Sequence, residues 1–168
     1  VGNSDLSLES WKQINDIVLS YDAVTGIHDL IVHNYGPGRT LISLHAEVPA
    51  DGNILTLHDT IDTIEHELRS KLNCNAVIHM DPVSTNDPKT LSLKAEVNTY
   101  LDQIDPKLSM HDFRIVQGPT HTNLIFDIVV PYDYPVSDQE VVDSVTKRIQ
   151  MNHPDFYTAI DVDKAVVR

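Results

Sequence analysis

Cysteine occurs once in this chain, at Cys74. A single thiol can build neither a disulfide framework within the chain nor a cysteine-rich zinc site, and it fits a reducing compartment. No apolar run reaches the length of a membrane span, and no signal peptide is visible. Basic residues are scarce: 12 Lys and Arg stand against 25 Asp and Glu, a net charge of −13 with histidine neutral. Phosphate backbones and anionic membrane surfaces both call for clustered cations, so this balance argues against nucleic acid or acidic lipid as a partner. The same acidity suits cation binding, and it also serves plain solubility. Gly36-Pro37-Gly38-Arg39 lacks the Lys-Ser/Thr tail of a phosphate loop and does not open a helix. No glycine-flanked serine forms a nucleophile elbow, so no enzyme is expected. The chain begins at Val1 rather than Met, as expected of a piece of a longer protein.

What is present is enough apolar residue, 41% of 168 positions, for real cores and for two small domains. Leu8, Trp11, Ile14, Val18 and Leu19 form a helical stripe over 8–21, with Ser7 as its cap. Strand patterns follow over 27–33 and 40–48, separated by the Gly36-Pro37-Gly38 break and paired as a hairpin. In the second, Leu41, Ser43 and His45 alternate with Ile42, Leu44 and Ala46. A long helix is expected over 54–72, with Leu57, Ile61, Ile64, Glu65 and Leu68 on one side, then a strand over 76–81 stopped by Pro82. The order is αββαβ. Polar residues 83–89, bounded by prolines, read as a linker. A helix over 93–104, strands over 110–116 and 123–130, a helix capped by Ser137 and running to about Met151, and a strand over 157–162 repeat that order.

The second half is a diverged copy of the first. His28-Asp29-Leu30 recurs as His111-Asp112-Phe113 at an offset of 83. Gly36-Pro37, Val48-Pro49 and the segment at Ile78 recur at Gly118-Pro119, Val130-Pro131 and Ile160, each at an offset of 82. Four matches in order at nearly constant spacing mark a tandem repeat. The domains are therefore placed at 1–85 and 90–168, each an α+β unit with helices on one face of a three-stranded sheet.

Nine histidines are present, six of them in the first half. His28 opens the first strand, His45 lies in the second, and His58 is near the start of the second helix. His79 precedes Asp81 by two positions, so both project from one face of the third strand and can address one ion. Imidazole and carboxylate without thiolate suit borderline divalent cations, which leaves zinc, cobalt, nickel, manganese and ferrous iron open. Incidental surface histidines are the competing reading. His33, His121 and His153 are expected to be surface residues rather than ligands.

Four segments resemble one family: Gly26-Ile27-His28-Asp29-Leu30, Leu44-His45-Ala46-Glu47-Val48, Leu57-His58-Asp59 and Val77-Ile78-His79-Met80-Asp81-Pro82. In this order they are similar to the cytoplasmic domain of cation diffusion facilitators, and the likeness covers the first copy. The resemblance implies a metallochaperone-like, ferredoxin-like αββαβ fold and a homodimer on the cytoplasmic face of the membrane. It also implies a divalent metal, zinc first, bound near the dimer interface. The family's ligand positions fall on His28, His45, His58, His79 and Asp81, with the His58 position able to complete a site of the other protomer. Transport itself belongs to membrane helices that this sequence does not contain. The function implied is metal sensing and dimerisation.

In the second copy the matching positions are His111, Asp127, Glu140, Asp161 and Asp163. One histidine and four carboxylates make either a structural partner without metal or a harder, oxygen-rich site for manganese, magnesium or calcium. Two other readings of the whole chain stand beside metal sensing. One is a purely structural dimerisation module, and the other a small-molecule-binding domain of the same shape.

Overall fold

The computed structural model describes residues 8–166. Ser7 and the side chain of Leu8 lie outside the described residues. Two compact units divide the chain, one ending at Pro82 and the other beginning at Val83. Each has the order α-β-β-α-β. The first comprises α1 (Leu8–Leu19), β1 (Gly26–Asn34), β2 (Thr40–Pro49), α2 (Ile54–Leu72) and β3 (Asn75–Val83, whose last residue falls past the division). The second comprises α3 (Pro88–Ile104), β4 (Ser109–Gln117), β5 (Thr122–Pro131), α4 (Asp138–Asn152) and β6 (Phe156–Ala165). The sheets run β1-β2-β3 and β4-β5-β6. The architecture is α+β, two tandem ferredoxin-like units.

In the first unit, strand alternation sorts the side chains between two faces. Ile42, Leu44, Ala46 and Val48 of β2 are buried in a core with Ala76 and Ile78 of β3 and with Leu57, Ile61, Ile64 and Leu68 of α2. α1 adds Ile14 and Val18, with Ile17 and Tyr21 packed beside them. Leu19, expected on that stripe, is 49% exposed, because the buried stripe follows 14, 17, 18 and 21 instead. The other face of the sheet carries His45 and Glu47 from β2 and Val77, His79 and Asp81 from β3. The functional side chains therefore stand on the face the helices leave open.

β3 lies at an edge of its sheet, and its outward backbone groups are met from α2. Glu65 accepts a hydrogen bond from the Ile78 amide at 2.8 Å. Arg69 donates to the Ala76 carbonyl at 3.0 Å. Such cover blunts an edge that would otherwise invite another strand. The edge position also explains why Pro82 does not stop β3, which continues to Val83: a missing N–H is tolerated where no neighbour needs it.

Residues 83–89 are not a free linker. Ser84 exchanges backbone hydrogen bonds with Ile115 at 2.9 and 3.1 Å, as an antiparallel bridge to β4. α3 begins at Pro88, five residues before the apolar pattern, because Asp87 caps it and Pro88 takes the first helical position. The Asp87 side chain also accepts from the Thr90 hydroxyl. In the full chain, Asp87→Ala is expected to destabilise the start of α3 by about 1 kcal/mol. Amides of its first turn should then exchange with solvent about fivefold faster. Unchanged exchange would mean that the cap contributes nothing to that turn.

Candidate metal centre

The first site histidine is aimed by a bulge. β1 and β2 pair antiparallel with His28 opposite His45, and the register then slips before Ile31 pairs with Ser43. The extra residue includes Asp29 at φ 53°, a left-handed backbone for a residue other than glycine. A bulge bends its strand and re-aims the side chains beside it, and such kinks gather near functional sites. The second unit repeats the device: His111 pairs with Asp127, the register slips before Arg114, and Asp112 has φ 57°.

Around Asp81 three imidazoles converge. Its Oδ2 lies 3.0 Å from Nε2 of His28 and 3.0 Å from Nδ1 of His45. Its Oδ1 lies 3.3 Å from Nε2 of His79. The rings themselves are layered: His28 stacks on His45 with centroids 4.8 Å apart, and His79 tilts against His45 at 4.7 Å. Exposure grades across the cluster, from 9% for the His28 side chain and 12% for Asp81 to 33% for His45 and 69% for His79. One end of the site is closed and the other meets solvent.

Behind His28 sits Glu47, which the sequence pattern did not single out. Its Oε2 is 3.0 Å from Nδ1 of His28, and its side chain is 4% exposed. The signal was available, since Glu47 follows His45 by two positions on β2 and so shares its face. Burial opposes the charge on His28, but hydrogen bonds to Asp81 and Glu47 outweigh it and push the imidazole up to about 9. Burial likewise opposes the charge on Asp81, and the hydrogen bonds from His28 and His45 overcome it and hold the carboxyl below its usual range.

Two groupings of the first unit are compact enough to hold an ion: His28, Asp29 and His45, and His45, His79 and Asp81, each with its ligand atoms within 4.8 Å of one another. Metal–nitrogen and metal–oxygen bonds of about 2.0–2.1 Å give a tetrahedral site ligand–ligand edges of about 3.3 Å. The 3.0–3.3 Å separations around Asp81 match that size. Four of the five residues read from the sequence, His28, His45, His79 and Asp81, are thus brought together. His58 is not among them. It lies on the exposed side of α2, 3.8 Å from Asp62.

The second-copy set does not gather in the same way. Among the described residues, both groupings able to hold an ion lie in the first unit. Glu140 is exposed in the first turn of α4, where its amide hydrogen-bonds the Ser137 cap. Asp161 is exposed, and His111 pairs across the hairpin with Asp127. Burial, then the charge of Asp163, push Asp127 up to about 6; Arg114 opposes this and Asp112 adds to it. Of the remaining histidines, His153 is 2.7 Å from Glu96 and stacks on Phe156. His33 lies against Tyr35, and His121 meets Tyr157 edge-on.

Two pH dependences follow for the metal-free chain. Folding raises the His28 pKa above 6.5, so its contribution is complete below 6.5 and is lost as pH rises through about 9. Asp81 is depressed from 3.8, so its contribution is present above that value and is lost as pH falls further. With chelator present, the melting-temperature gap between the native chain and His28→Gln should be widest between about pH 4 and 6.5 and narrow toward pH 9. A gap that widens with pH would contradict the network. Asp127 works in the opposite sense: its raised pKa means that ionisation weakens the fold as pH rises from 3.8 through about 6. Asp127→Asn should therefore stabilise the chain above pH 6 and have less effect below pH 4 in thermal melts.

Comparison with known proteins places the likeness on the half that holds this cluster. Residues 6–83 match the family described as the cation efflux protein, cytoplasmic domain. An uncharacterized transporter of Methanocaldococcus jannaschii is 36% identical over 74 residues, 44% of this chain and 26% of its own length. The cation-efflux pump FieF of Escherichia coli is 35% identical over 77 residues, 45% of this chain and 25% of its own length. The FieF of Shigella boydii gives the same figures. The match spans about a quarter of the length of these curated relatives.

Proposed function

Because the first unit carries the sequence pattern of a cation efflux cytoplasmic domain, we infer that it binds a divalent cation, zinc foremost, and serves as the metal-sensing and dimerising part of an efflux transporter. The observation that carries this reading is the convergence of His28, His45 and His79 on the one carboxylate of Asp81. Those four side chains would hold the ion. A bound cation supplies a rigid positive cross-link among strands β1, β2 and β3. His58, exposed on α2 beside Asp62, lies outside the cluster, and in this reading a second protomer would draw on it.

Cobalt, manganese, iron and nickel suit the same nitrogen and oxygen donors. The role is regulatory rather than catalytic, on the cytoplasmic side of a membrane, with the membrane-embedded part as the partner that receives the signal. Regulation requires the ion to bind one arrangement of the protein more tightly than another, since equal binding shifts nothing. The second unit repeats the architecture, and both groupings able to hold an ion among the described residues lie in the first.

One observation favours a rival. The cluster is already satisfied without an ion, because protonated His28 bridges Glu47 and Asp81. A purely structural dimerisation module would use the network in that form alone. Calorimetric titration with zinc, cobalt and manganese separates the two. Zinc at 100 times its dissociation constant should add about 2.7 kcal/mol of stability and raise the melting temperature. His79→Ala and Asp81→Ala should remove most of that gain, and chelator should reverse it. Absence of saturable heat and of any melting shift in the native chain would leave the structural module standing. Sedimentation with and without zinc then reads whether the ion strengthens a homodimer.

A further inference from the structure

Glu47 is buried at the closed end of the site, 3% exposed as a residue. It faces Nδ1 of His28, while Nε2 of the same ring faces Asp81. The space it fills depends on glycine at position 26. A Cβ on Gly26 would stand 3.3 Å from the Glu47 carboxyl carbon and 3.3 Å from Oε2, so the carboxylate would have to give way by a few tenths of an ångström. Gly26 and Glu47 are register partners across β1 and β2. The equivalent partners in the second unit are Ser109 and Val129. Slot and carboxylate are thus absent together from the copy that does not gather an imidazole cluster.

We propose that Glu47 is a positioning residue: seated against Gly26, it accepts a hydrogen bond from Nδ1 of His28 and so keeps Nε2 as the ligand nitrogen, turned toward Asp81. Which ring nitrogen of a histidine can bind a cation is set by the partner of the other. A carboxylate behind a ligating imidazole fixes its orientation and raises its basicity, and its loss typically lowers metal affinity 10–100-fold. The bulge at Asp29 aims the ring, and Glu47 sets its rotation about that aim. The inference rests on the reading of this cluster as a cation site, yet the contact it names exists in the metal-free protein.

Three variants test it in the full chain. Glu47→Gln keeps the volume and an acceptor oxygen but drops the charge. Glu47→Ala removes both, and Gly26→Val leaves the carboxylate while filling its slot. In metal-free protein held above the His28 pKa of about 9, where the ring is neutral, long-range proton–nitrogen spectra of the imidazoles should show Nδ1 of His28 protonated in the native chain and in Glu47→Gln. Glu47→Ala should lose that preference. Zinc affinity should fall about 10-fold in Glu47→Gln and about 100-fold in Glu47→Ala, with Gly26→Val between them. Native spectra in which Nδ1 of His28 carries no proton would overturn the assignment, as would a folded Glu47→Ala that binds zinc within about twofold of the native chain. Where Glu47→Ala does not fold, unchanged affinity in both Glu47→Gln and Gly26→Val overturns it equally. A native chain that binds no zinc removes the cation-site reading, and the metal-free spectra still decide the role of Glu47.

Discussion

Asp81 is a carboxylate with 12% of its side chain exposed, and three imidazoles crowd around it. Taking such a charge out of water costs several kcal/mol unless a partner of opposite charge and well-placed hydrogen bonds compensate. His28 is that partner, and it is itself buried and braced from behind by Glu47. The geometry of the open sheet face follows from this constraint. β3 must present Asp81, β2 must present His45 and Glu47 two residues apart, and β1 must turn His28 inward through a bulge. The helices bury the opposite face and cover the β3 edge.

On the proposed reading, a divalent cation would replace protons among the same nitrogen and oxygen atoms. Without an ion, hydrogens lie between nitrogen and oxygen at 3.0 Å. An ion held by His45, His79 and Asp81 would need ligand–ligand edges close to that length. Little rearrangement is then required within the unit, and the main difference is the sign and place of the charge. His79, 69% exposed, is the member best placed to meet something outside the unit.

Much of this is legible in the sequence because it depends on period-two alternation. His79 and Asp81 share a face by spacing alone, and the hydrophobic residues of β2 identify His45 as facing the other way. The parts that are not legible have separate causes. Glu47 falls on the same alternation, but a carboxylate in a strand reads as a solvated residue until Gly26 opposite is recognised as the space it needs. The bulge carries no glycine, since Asp29 adopts φ 53° itself, so no local residue type announces it. The start of α3 is hidden because its first turn is polar, although Asp87 followed by Pro88 is a cap-and-first-turn pair. Pro82 reads as a strand stop, yet edge position, a property of the sheet order, decides whether proline is tolerated.

Duplication separates what the scaffold dictates from what the chemistry requires. Both units keep the order of elements, the antiparallel hairpin, the slipped register and a left-handed aspartate in the bulge. The side chains on that scaffold differ in charge balance. Where the first unit sets imidazoles beside one acid, the second sets Asp127 near Asp112 and Asp163, and burial together with that crowding raises its pKa. Asp127 meets Asp112 through a side-chain hydrogen bond that favours its neutral form, whereas the first unit surrounds its acid with imidazoles. The backbone therefore supplies the positions in both units, but three imidazoles face one acid in the first, while the matching set of the second has His111 as its one histidine. That is why the copy sharing the geometry does not share the imidazole cluster.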